Sequence, residues 1–137
     1  MTEFFERLED APPINRPLAL GAVTLVILRQ AVLLEKRADN GQWSFPGGSA
    51  EPEEEPALCA ARELKEETGL CGLDLEFVKL FDDPGTIGAY DDGNVVQTHV
   101  SVFKTELDHE PHLRISKEST ALAIFSPKDL LRLELAP

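Results

Sequence analysis

The feature that most restricts how this chain can fold is Gly47 to Leu70, GGSAEPEEEPALCAARELKEETGL, because it writes a helix with both ends marked. Pro56 suits a first helical turn, where its missing N–H costs nothing. Gly69 can take the left-handed conformation that stops a helix, and Leu70 then anchors the exit in the core. Between these ends, Ala57, Ala60, Ala61 and Leu64 gather on one arc, as a helix lying on a sheet requires. At about 100° per residue, Glu66 and Glu67 fall within about 60° on either side of Glu63, so the three carboxylates share another arc. The spacing predicts a helix from Pro56 to Thr68 with one side toward a core and the other toward something cationic.

Carboxylates about 5 Å apart repel by roughly 3 kcal/mol per pair at an effective dielectric of about 20, so a cation, a proton or solvent must intervene. Oxygen-only ligation suits Mg²⁺ or Mn²⁺, which keep several waters and bridge to substrate phosphates. Alone, a Glu-rich helix is more often a solvated face. The surroundings reverse that balance. Gly48, five residues, Glu54, seven residues and then Arg62-Glu63-Leu64-Lys65-Glu66-Glu67-Thr68-Gly69-Leu70 resemble the signature of the Nudix hydrolases at every specified position. The resemblance extends upstream through Trp43-Ser44-Phe45-Pro46-Gly47. Glu53, where many members carry glycine, is a local departure.

The resemblance implies an α/β/α sandwich, a mixed β-sheet between helical layers, in one domain over residues 1–137. It implies hydrolysis of the pyrophosphate bond of a nucleoside diphosphate linked to another moiety, with a lean toward ADP-ribose or a nucleotide sugar. It assigns Mg²⁺ or Mn²⁺ to Glu63, Glu66, Glu67 and the Gly47 carbonyl, and leaves deprotonation of water to Glu67, Glu63 or Glu118. Arg62 and Glu54 would orient the other acids. Gly47 and Gly48 would let the backbone turn sharply and bring a carbonyl to the ligand, with Gly48 at the substrate. Arg37 resembles an arginine that holds substrate phosphates; a solvated strand end is the other reading. The segments Asp82-Asp83-Pro84, Tyr90 to Asn94 and Val95-Val96-Gln97 resemble, more loosely, the ADP-ribose pyrophosphatase-like subgroup, with recognition in the loop between them. Competing readings are a nucleoside triphosphate pyrophosphohydrolase and a nucleotide-binding module without catalysis.

The 137 residues suffice for one domain with a real core. A formal charge of −12, with no basic tract, argues against nucleic acid, capped RNA ends and anionic membranes as partners. It would also repel a polyanionic nucleotide, which metal at the acidic arc would offset locally. Cys59 and Cys71 would stand roughly 18 Å apart along a helix, beyond disulfide reach, and read as free thiols. Cys59 is a small filler one turn before Glu63, or else a point where a thiophilic metal inhibits. MTEFFERLED does not resemble a signal peptide, and no apolar run approaches a membrane span, so the expectation is cytoplasmic.

Elsewhere, Thr2 to Leu8 reads as a short amphipathic helix, a candidate for packing on the domain or for a homodimer contact. Leu18 to Leu28 and Ala31 to Lys36 read as antiparallel strands across a turn at Arg29-Gln30. Leu73 to Phe81 and Val95 to Lys104 read as strands, Thr86 to Asn94 as a loop or hairpin tip, Ala121 to Phe125 as a last strand and Pro127 to Glu134 as a closing helix. His99 reads as a structural histidine, and His109 with His112 makes only a weak zinc pair.

Overall fold

The computed structural model describes residues 2–4, 18–82, 87–90, 95–117, 119–130 and 132. In chain order the elements are β1 (Thr2–Phe4), β2 (Ala19–Leu28), β3 (Ala31–Arg37), β4 (Trp43–Ser44), β5 (Gly47–Ser49), α1 (Pro56–Thr68), β6 (Glu76–Phe81), β7 (Ile87–Tyr90), β8 (Val95–Leu107), β9 (Ser119–Phe125) and α2 (Pro127–Leu130).

The sheet is mixed. β2 and β8 run parallel at its centre from Ala19 opposite Thr98 to Leu28 opposite Leu107, while the other pairings are antiparallel. The turn joining β2 to β3 holds Arg29 at φ 49° and Gln30 at φ 71°, the double left-handed geometry of a two-residue hairpin. On its other edge β2 is shared. β3 pairs with it only at Ile27 and Leu28, and β5 pairs with it at Gly21, Ala22 and Val23. Past that point β3 pairs with β4 instead, while β9 runs along the other edge of β3 from Val32 onward, so the sheet forks, with a backbone bond from Thr24 N–H to the Pro46 carbonyl at 2.9 Å inside the fork.

β2 buries alternate residues, Ala22, Thr24, Val26 and Leu28, as one face of a strand beneath a helix does. Ala22 clusters with Cys59, Ala60 and Phe103, and Val26 clusters with Leu33 and Leu64. Leu70 packs on the second cluster, as expected of the exit residue. The helix spans the predicted residues, ends at Gly69 with φ 81°, and donates the Gly69 N–H to the Lys65 carbonyl at 2.9 Å. Its buried stripe differs from the expected arc. Cys59, Ala60, Glu63, Leu64, Glu67 and Thr68 are buried, whereas Ala57 and Ala61 are exposed. The helix is rotated so that two of its acids lie at the edge of the core, because β5 packs against that side of it.

Three other expectations are corrected. Thr2 to Phe4 is a strand paired with β7, not part of a helix, since ladder hydrogen bonds outweigh the small stability of one or two helical turns. Residues 5–17 lie outside the described residues. Ile87 to Tyr90 is a strand on β8 rather than a loop tip, and Ile and Tyr are residues that strands favour. β6 begins only at Glu76, because Leu73 and Leu75 pack into the core clusters instead of joining the ladder. α2 is capped by Ser126, whose Oγ accepts the Asp129 N–H at 3.3 Å, and Leu131 and Leu133 fall outside the described residues. Cys59 is buried, Cys71 is exposed, and both are free. No helix among the described residues is long and apolar enough to cross a membrane.

Candidate active site

Where β3 leaves β2, the fork opens into a cavity of about 800 Å³. Its lining carries acids, Glu35 of β3 with Glu63 and Glu67 of α1, and apolar side chains that include Leu20, Phe45 and Phe81. Arg37 and Asp39 stand at the end of β3 and the turn after it.

Gly47 and Gly48 lie in β5, and neither has a positive φ, so the sharp turn expected of them is absent. What requires glycine is close approach. A Cβ on Gly47 would fall 2.3 Å from the Ala22 carbonyl oxygen, and one on Gly48 would fall 2.6 Å from Cδ of Glu63. The positive φ belongs to Glu53, at 64°, in the turn Glu51-Pro52-Glu53-Glu54 closed by Glu54 N–H to the Glu51 carbonyl at 3.0 Å. That is the position of a type II turn where glycine is favoured.

Arg62 organises the acids around it. Its Nε donates to Glu54 Oε2 at 2.8 Å and its Nη2 to Glu54 Oε1 at 2.9 Å, a two-pronged pair. The Nη1 donates to Glu63 Oε1 at 3.0 Å and Glu66 Oε2 at 3.2 Å, and the Nη2 also reaches the Ser49 carbonyl at 3.0 Å. These bonds, first of all the one from Arg62, hold the Glu54 carboxyl down at about 2. In return Glu54 raises the Arg62 guanidinium further above its ordinary range.

Glu67 is 3% exposed and accepts the Gly47 N–H on Oε2 at 3.0 Å. Burial first, then the charge of Glu35, pushes its carboxyl up to about 10. Glu35 is itself 6% exposed and accepts the Ser119 hydroxyl at 2.7 Å on Oε2. Cys59 Sγ is 3.6 Å from the Gly48 carbonyl, and burial pushes its thiol up to about 11, which suits a filler rather than a ligand.

Of the residues singled out in the sequence, the cavity brings together Gly47, Gly48, Glu63, Glu67 and Arg37. Glu66 is exposed, turned to Arg62 and away from the cavity lining. Glu118 lies outside the described residues, as do residues 83–86 and 91–94 of the recognition segment. His99 lies within β8 opposite Leu20, and His109 and His112 are exposed in the loop after β8. Glu35 was not found from sequence, although an acid inside the apolar run AVLLEKR was a usable signal.

Among the described residues, no three His, Cys, Asp or Glu side chains converge as a metal ion would need. The donor chemistry nonetheless fits a hard divalent cation. The set is all oxygen, and Glu67, whose carboxyl is pushed upward by burial and by the Glu35 charge, is a group that a cation beside it would help to ionise. Glu66 would contribute only by leaving Arg62.

A family described as the NUDIX domain matches residues 18–137. Among curated relatives, a MutT-like protein of Streptomyces ambofaciens is 45% identical over 56 residues, 39% of this chain and 36% of that protein. The match therefore spans about a third of the relative's own length. Among solved structures, the NUDIX domain of Shewanella oneidensis NrtR complexed with ADP ribose superposes at a TM-score of 0.72 with 18% identity, over 89% of this chain and 81% of that one. A bifunctional NMN adenylyltransferase/ADP ribose pyrophosphatase of Francisella tularensis, complexed with AMP and a Mn ion, superposes at 0.66 with 23% identity, over 90% of this chain and 38% of that one. At these identities the two structures establish the fold alone.

Proposed function

The chain belongs to the Nudix family, and we propose that it is a divalent-cation-dependent hydrolase cleaving the pyrophosphate bond of a nucleoside diphosphate joined to another group, ADP-ribose or a nucleotide sugar. The observation that carries this reading is the cavity itself, whose lining divides between acids, the motif residues Glu63 and Glu67 among them, and apolar side chains that include Leu20 and Phe81. A substrate with a diphosphate at one end and a flat apolar base at the other fits that division. ADP ribose in the NrtR domain, and the ADP ribose pyrophosphatase with AMP and Mn, lend support from neighbours of the same fold.

In this reading Glu63, Glu67 and the Gly47 carbonyl hold the cation, and Glu66 is recruited from the Arg62 network. When bound, Mg²⁺ or Mn²⁺ supplies Lewis-acid polarisation of the phosphoryl oxygens and a lowered pKa for the attacking water. The chain's own residues do the positioning. Arg62 fixes Glu63 and the Gly47–Ser49 strand in one frame, through its bonds to Glu63, Glu54 and the Ser49 carbonyl. The Gly47 N–H orients Glu67, and the bulk solvent excluded around that carboxylate strengthens every charge interaction it makes.

The test is release of mononucleotide from a panel of ADP-ribose, nucleotide sugars, dinucleoside polyphosphates and nucleoside triphosphates, with Mg²⁺ and with EDTA. We expect ADP-ribose or a nucleotide sugar to lead, and Glu67→Gln to lower kcat by roughly 10²-fold or more while the far-UV spectrum stays unchanged. Wild-type turnover of the triphosphates alone, or near-normal turnover by the variant, would overturn the reading.

A further inference from the structure

Arg37 is the single cation among the described residues lining the cavity, and it is already engaged. Its Nε donates to Asp39 Oδ1 at 3.0 Å and its Nη2 to Asp39 Oδ2 at 2.7 Å, the two-pronged geometry an arginine would otherwise offer a phosphate. The backbone that carries Asp39 is held in a turn. The turn from Arg37 to Gln42 is closed by Arg37 N–H to the Gln42 carbonyl at 2.8 Å and Gly41 N–H to the Arg37 carbonyl at 2.9 Å, and Asn40 Oδ1 accepts the Gln42 N–H at 2.9 Å. Both partners face the cavity, alongside Glu35, Glu63 and Glu67.

We propose that Asp39 tunes specificity in this pocket: by occupying Arg37 it neutralises the only positive side chain of the described lining, so the pocket binds a diphosphate in preference to a triphosphate. The inference rests on reading the cavity as a nucleotide site. Its physical basis is the scaling of Coulomb energy with ligand charge. An anion approaching Arg37 must displace Asp39 or share the guanidinium with it, and the repulsion from Asp39 grows with each phosphate the ligand carries. The pair is partly exposed, its side chains retaining 44% and 60% of their accessible surface, so solvent screens the effect to a modest size. Discrimination of a few fold to about tenfold is what such a charge can supply.

The experiment is calorimetric binding of α,β-methylene-ADP and α,β-methylene-ATP, whose α–β bridges resist cleavage, to wild-type protein, Asp39→Asn and Arg37→Ala in Mg²⁺ buffer. Asp39→Asn keeps the size of the side chain and removes its charge. It should tighten the triphosphate analogue about tenfold and the diphosphate analogue about threefold, narrowing the preference between them. Arg37→Ala should weaken both. If wild type binds the analogues and Asp39→Asn leaves both unchanged, loosens both, or tightens both equally, Asp39 serves only to hold Arg37 in place and the proposal fails while the nucleotide reading stands. If neither analogue binds any of the three proteins, the nucleotide reading itself falls and takes this inference with it.

Discussion

Arg62 donates to Glu54, Glu63, Glu66 and the Ser49 carbonyl, and that distribution explains how several acids coexist on one side of a helix in the folded chain. Its planar fork matches carboxylates in a way that a lysine ammonium cannot reproduce. The same bonds have a pH signature. Glu54 has an ordinary carboxyl value of 4.5 and a folded value of about 2, so the folded state binds fewer protons than the unfolded chain between those values. The stability that Glu54 contributes is therefore complete above 4.5 and is lost as pH falls toward 2. Urea midpoints measured between these pH values should drop more steeply for wild type than for Glu54→Gln, and parallel curves would contradict the assignment. At the same scale, the Glu53 backbone explains why that departure from the family pattern matters. It leaves a side chain at φ 64° where glycine would be unstrained.

Among the elements, α1 shows how far a periodic pattern can be trusted. Its span, its proline start and its glycine stop were legible because they depend on neighbours within a few residues. Which arc is buried was not, because β5 packs on the Glu63 side and leaves Ala57 and Ala61 in solvent. The same limit applies to Thr2 to Phe4 and to Ile87 to Tyr90. Thr2 to Phe4 becomes a strand by pairing with Ile87 to Tyr90, a contact across the chain that no local window contains, and Ile87 to Tyr90 lies between that strand and β8. The β2–β3 hairpin offers a test at this scale. Arg29 and Gln30 both occupy left-handed conformations, which cost about 1 kcal/mol each for residues bearing a Cβ. Replacing the pair by Asn-Gly, the preferred pair for this turn, should raise stability by about 1 kcal/mol, read as a higher urea midpoint at unchanged slope. An unchanged or lower midpoint would mean that the two native side chains make compensating contacts.

For the molecule as a whole, the forked sheet and the charge act together. The fork makes the cavity, and a chain with formal charge −12 lines it with acids at Glu35, Glu63 and Glu67. A divalent cation that binds only the folded state must then stabilise it, by about 2.7 kcal/mol at 100 times its dissociation constant. Differential scanning fluorimetry should show a melting temperature that rises with Mn²⁺, returns with EDTA, and hardly responds in Glu67→Gln. A wild-type melting temperature indifferent to Mn²⁺ would argue that these acids hold no ion.

What the sequence determined by itself was local or periodic: the helix from Pro56 to Thr68, the strand pair around Arg29-Gln30, and a motif whose spacing specifies a family. What the tertiary structure decided was which groups share a space. It left Glu66 at the surface on Arg62, brought Glu35 from a strand beside Glu67 of the helix, and set the Arg37–Asp39 pair in the lining of the same cavity. The physical reason is that spacing along a helix or strand fixes the direction of a side chain relative to its own axis, whereas burial and pairing depend on where the other axes lie. Those are set only when the sheet closes on the helix.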